Sequence, residues 1–163
     1  MRKRKIIISI LLVLAFVGVV SSAWVVHMMS YDKYKDENLE RLSYSLSSYV
    51  DWRGPVIYGI KTPPYLEFGG NLYCNNEDNT ITILAWPSFM CRDIKKLGII
   101  LATEDGGGYQ VYVDENLDYD YELNKGKTQD EYEEIQKIMK NKSSEIYELY
   151  HGMRERFNMN EIQ

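Results

Sequence analysis

From Ile6 to Val26 the chain contains no charged residue, and Ser9, Gly18, Ser21 and Ser22 are its only polar or glycine positions. A helix over these positions is about 31 Å long, close to the ~30 Å hydrocarbon core of a bilayer. Arg2, Lys3, Arg4 and Lys5 stand immediately before the run, and His27 follows it. Basic residues on one flank stay on the cytoplasmic side, so the remainder of the chain is expected outside. The sequence therefore predicts a basic stub over 1–5, a transmembrane anchor over 6–28 that contacts the lipid bilayer, and a single extracytoplasmic α+β domain over 29–163.

Cleavage is the competing fate of such a run. A secretory signal needs a basic start, an apolar core and small residues before the cut. Ser21-Ser22-Ala23 supplies small residues, and a cut near Ala23 would release the domain as a secreted protein. The apolar run nevertheless continues through Trp24-Val25-Val26, which suits retention, with Trp24 as an interfacial aromatic. No Cys stands near the end of the run, so no lipid attachment is expected there. A retained anchor leaves about five residues inside, too few for a folded cytoplasmic output.

Charge narrows the partners. The chain has 19 Lys and Arg against 24 Asp and Glu. Four of the basic residues precede the run and every acid follows it, so the part beyond it carries 15 basic residues and a formal charge of −9. An acid excess disfavours nucleic acid and anionic lipid as partners, since both require cationic surface.

Beyond the run, Leu39, Leu42, Leu46, Tyr49 and Val50 recur at three- and four-residue steps, which predicts an amphipathic helix ending before Gly54-Pro55. Its stripe on Leu39, Leu42 and Leu46 is a candidate contact for a partner. The middle of the chain reads as strands: VIYGIK, NLYC, the alternating TITILAW, the continuously apolar LGIILAT, and YQVYVD, followed by DYDYEL. Asp105-Gly106-Gly107-Gly108 is a turn rather than a phosphate cradle, because it leads into a strand and lacks Gly-Lys-Ser/Thr. Short connections predict an antiparallel sheet of 4–5 strands. Thr128 with Glu131 three residues on forms a capping box. It opens a long C-terminal helix with a stripe on Tyr132, Ile135, Met139, Ile146, Leu149 and Met153, interrupted by Lys142, with Gly152 as a stop or kink. The expected fold is α+β: membrane helix, amphipathic helix, antiparallel sheet, and a long C-terminal helix packed on that sheet.

Few residues suggest chemistry. Cys74 and Cys91 are the only cysteines, and outside the cytoplasm a pair reads as a disulfide, here closing a loop of about 17 residues. Zinc needs more ligands at tighter spacing, so no metal site and no cofactor are expected. Asp114, Asn116, Asp118, Asp120 and Glu122 fall at alternate positions, as in a calcium loop. Tyr119 and Lys125 occupy the places of the required Gly and bidentate Glu, so the plain reading is a hairpin with an acidic solvent face, and weak divalent-cation binding is the alternative. His151 is the one conceivable catalytic base for a Cys nucleophile.

These features lead to an expected non-catalytic accessory or assembly component at the cell envelope, binding another membrane or envelope protein. A ligand-binding module for a sugar, peptide or divalent cation, using the acidic hairpin and exposed aromatics such as Tyr65, Trp52 and Trp86, is the alternative. A small hydrolase would need an acid–base–nucleophile set.

Overall fold

A computed structural model describes residues 2–43, 45, 47–103 and 106–159. The uncharged run forms most of one uninterrupted helix, α1 (Arg2–Ser30). A 3₁₀ turn over Tyr31–Tyr34 turns the chain into the domain.

Seven strands follow: β1 (Glu40–Arg41), β2 (Ser48–Asp51), β3 (Ile57–Lys61), β4 (Asn71–Asn75), β5 (Ile81–Pro87), β6 (Ile94–Ala102) and β7 (Gly108–Val113). They pair in sequence order, every pair antiparallel, as one meander. Two helices close the chain, α2 (Gln129–Asn141) and α3 (Ser143–Arg156).

Alternation along the strands sorts residues onto two faces. On the first, Ile60, Leu72, Cys74, Ile81, Ile83, Ala85, Leu97, Ile99, Leu101, Val111 and Val113 are buried. With Ile135, Ile146, Leu149, Tyr150 and Met153 from α2 and α3, and Tyr31 and Tyr34 from the 3₁₀ turn, they form the core. The second face carries Tyr73, Leu84, Trp86, Ile100 and Tyr112, all half-buried. Their rings lie along the sheet: a Cβ on Gly59 would stand 2.1 Å from the Tyr73 ring, and one on Gly98 would stand 2.9 Å from Trp86. Both positions therefore require glycine or a displaced ring.

The expected α+β class holds, with seven strands in place of four or five. The difference lies at 31–51, where the sequence predicts an amphipathic helix and the chain forms a 3₁₀ turn and the first two strands of the sheet, β1 and β2. The seryl side chains there bond locally, Ser45 Oγ to Ser48 Oγ at 2.9 Å and Ser47 N–H to Ser45 Oγ at 3.4 Å. Such bonds compete with a helical backbone. DYDYEL is a series of turns with a single bridge, Tyr119 to Val113.

The C-terminal helix is two helices. The capping box forms as expected, with Thr128 and Glu131 satisfying each other's backbone N–H. The break falls at Lys142, the residue that interrupts the stripe, whose Nζ reaches Thr80 Oγ1 at 2.7 Å. Gly152 neither stops nor ends α3; it makes room for the Tyr58 hydroxyl, 2.7 Å from where its Cβ would be.

Candidate functional site at the junction of helix and domain

The two ends of α1 have opposite environments. Leu12, Phe16 and Val19 are 66%, 70% and 68% exposed, as are their apolar neighbours back to Ile6 at lower values. About two turns after Val19 the same helix enters the domain, where His27, and Tyr31 in the 3₁₀ turn that follows, are fully buried. The sequence places His27 at a polar membrane edge, whereas the fold encloses it.

Two loops hold this end. One joins β3 to β4 over 62–70 and the other joins β5 to β6 over 88–93; in a meander both connections leave the same end of the sheet. Trp24 Nε1 donates to the Pro64 carbonyl at 2.7 Å, and its ring meets Tyr65 edge-on at 5.1 Å. Met90 N–H donates to His27 Nδ1 at 3.0 Å. Nδ1 is thus the acceptor, so Nε2 carries the proton and donates to the Phe68 carbonyl, also at 3.0 Å. Phe68 and Phe89 stack against the imidazole, with centroids 5.8 and 5.1 Å away. One side chain therefore ties both loops to the helix by bonds to their backbones.

Below His27, Ser30 Oγ lies 3.2 Å from Cys91 Sγ, and Lys33 Nζ donates to the Cys91 carbonyl. Leu66, Met90 and Cys91 have positive φ, 60°, 61° and 51°. Side-chain-bearing residues adopt that conformation at a cost of about 1 kcal/mol or more each. Both loops are thus held in unfavourable backbone conformations where they meet α1.

A second anchoring cluster ties α3 to the start of the domain. Arg156 forms a bidentate pair with Asp36, with Nη2 2.9 Å from Oδ1, and its Nη2 also reaches Asp51 at 3.3 Å. Arg53 pairs with Asp51 at 3.0 Å. The Arg53 guanidinium bonded to it holds the Asp51 carboxyl down at about 2, and Arg156 lowers Asp36 likewise.

The residues singled out from sequence fall elsewhere. Cys74 and Cys91 are both buried free thiols, so the expected disulfide is not formed. Cys74 points from β4 toward the Leu149 carbonyl of α3, and Cys91 sits under the end of α1. Burial pushes the Cys74 thiol up to about 12 and raises Cys91 as well. Leu39 belongs to the core, Leu42 is half-buried, and Leu46 lies outside the described residues, as does Asp105 of the glycine turn.

The acidic residues are occupied with turns. Asp114 Oδ1 accepts from the N–H groups of Asn116 and Asp118, both at 2.9 Å, and Asp120 Oδ1 accepts from Leu123 N–H at 2.9 Å. Glu122 pairs with Lys125 at 2.5 Å. Among the described residues no three His, Cys, Asp or Glu side chains are grouped to hold a metal ion. His151 packs its ring against Tyr147 at 4.1 Å and against Tyr150.

Two open grooves flank α2, each of about 680 Å³. Tyr109, Glu134, Lys137 and Asn141 line one, with Tyr109 Oη donating to Glu134 Oε2 at 2.6 Å. Tyr119, Gln136, Met139 and Tyr147 line the other.

The junction was not legible in sequence, because it depends on two loops distant in the chain converging on Trp24 and His27. The available signal was a histidine and a tryptophan ending an apolar helix, together with one loop that carries Pro63, Pro64, Tyr65 and Phe68 and another that carries Phe89 and Met90. Compared with known proteins, the chain matches no family model, no curated protein and no solved structure.

Proposed function

We propose that the chain is a single-pass membrane protein, with Arg2–Lys5 on the cytoplasmic side and the sheet domain outside, which acts by binding another membrane or envelope protein and has no catalytic turnover. The observation that carries this reading is α1 itself, exposed and apolar along most of its length and buried in the domain at His27 near its end. It is the one helix among the described residues long and apolar enough to cross a bilayer. Exposed leucines, isoleucines and valines at such density are stable in lipid, and in water they would aggregate. A domain mounted on such a helix presents a fixed surface to proteins that diffuse in the same membrane. The second sheet face, which carries Tyr73, Leu84, Trp86, Ile100 and Tyr112, all half-buried, supports a binding role.

The test joins topology to capture. A C-terminal reporter that works only outside the cytoplasm should be active, and protein extracted from membranes should retain residues 1–23 by intact mass. A photocrosslinker replacing Trp86 should give one dominant adduct with a membrane or envelope protein. A reporter active only inside, or a crosslinker that yields no protein adduct in intact membranes, contradicts the proposal.

The grooves beside α2 favour a second reading, a ligand-binding module, since each is of a size that takes a small molecule. Under that reading Tyr109→Ala and Tyr147→Ala would abolish saturable sugar or peptide binding, and the Trp86 crosslinker would capture no protein.

A further inference from the structure

We propose that the two loops around the outer end of α1 form an apolar collar that inserts into the headgroup–acyl boundary of the bilayer and seats the domain on the membrane surface. This rests on the anchoring role of α1 proposed above and goes beyond it, because an anchor alone leaves a domain free to stand off the membrane on its tether.

Depth is the first argument. With Ile6 at the inner edge of the hydrocarbon, about 21 residues of helix bring the outer edge to Val25 and Val26. That is the level at which the loops contact the helix, through Trp24 with Tyr65 and through His27 with Phe68 and Phe89. Any group displayed outward there meets lipid headgroups before it meets bulk water.

Composition is the second. Tyr65 is 70% exposed, Phe89 49%, Phe68 43%, Leu66 40% and Met90 37%. Val26 and Met29 continue the apolar surface on α1 itself. Aromatic rings with one polar tip are the side chains that favour this boundary. The third argument is rigidity: the His27 ring bonds both loop backbones, so the collar moves with the helix. Leu66 and Met90 keep their side chains in the collar from positions of positive φ. The two loops expose Arg92 against Glu67 and Asp93, so the seat rests on apolar and aromatic contact and not on attraction to anionic headgroups.

Spin-label accessibility of the full chain in phosphatidylcholine–phosphatidylglycerol nanodiscs tests the collar. Single labels are placed through Tyr65→Cys, Phe89→Cys, Leu14→Cys and Trp52→Cys, the two native thiols being buried. Trp52 lies in the β2–β3 connection at the opposite end of the sheet and reports water. The collar predicts a ratio of oxygen to nickel-chelate collisions several-fold higher at 65 and 89 than at 52, and close to that at 14. If 14 is lipid-exposed while 65 and 89 match 52, the anchor stands and the collar is wrong. If 14 also reads as water, the anchoring reading itself has failed. Labels at 65 and 89 that are shielded from both reagents place a protein over the loops, which equally overturns the lipid seat.

Discussion

His27 shows how much a single side chain holds. Its replacement by Ala leaves Met90 N–H and the Phe68 carbonyl without partners and opens a void between two phenyl rings. His27→Ala is expected to destabilise the domain by about 3 kcal/mol, read from denaturant unfolding of the detergent-solubilised full chain. The thiols give a second residue-scale outcome. Burial holds both in the protonated, unreactive form. Native protein purified without reductant should resist maleimide at Cys74 and Cys91, and denatured protein should take two labels; an oxidised pair would take none. The Arg156 cluster gives a third. Asp36 and Asp51 titrate lower folded than unfolded, so they bind fewer protons in the native state. Their contribution is complete above the unfolded value of about 4 and is lost as pH falls toward about 2. Stability should decline across that window, and Asp51→Asn should flatten the decline, measured by thermal unfolding against pH.

At the scale of elements, what the sequence disclosed depended on whether the signal was local. Alternation in TITILAW and the capping box at Thr128 are local patterns, and both elements formed where they stood. Spacing of Leu39, Leu42, Tyr49 and Val50 pointed to a helix, yet that stretch is rich in Ser and Tyr, weak helix formers, and the sheet beside β3 took it. The break at Lys142 shows the same limit, because the side chain is held by Thr80, 62 residues away. Cys74 and Cys91 misled for a related reason: a lone pair expected outside the cytoplasm suggested a staple, but one thiol points at α3 and the other at α1. Adjacent glycines sharpen the account of the β3–β4 loop. A Cβ on Gly70 would stand 2.5 Å from the Lys61 carbonyl oxygen, while one on Gly69 meets nothing within 4 Å. Gly70→Ala is therefore expected to cost about 1–3 kcal/mol, and Gly69→Ala to change stability by less than about 0.5 kcal/mol, in the same unfolding assay.

For the molecule as a whole, the decisive feature is continuity between the exposed apolar helix α1 and a folded body. Flexible tethers let a domain sample many heights and tilts, whereas here Trp24 and His27 of the helix bond the domain's loops, and Tyr31 directly after it lies in the core. Under the proposed anchoring, that coupling would fix which end of the sheet faces the bilayer, and with it the direction in which the aromatic second face looks. A pulsed electron–electron distance between labels at Val19→Cys on α1 and Trp52→Cys at the far end of the sheet, in nanodiscs, measures this coupling directly. A rigid junction predicts a single narrow distance distribution, which His27→Ala broadens. A broad distribution in the otherwise unaltered chain, or a membrane-extracted chain that has lost residue 19, would contradict it.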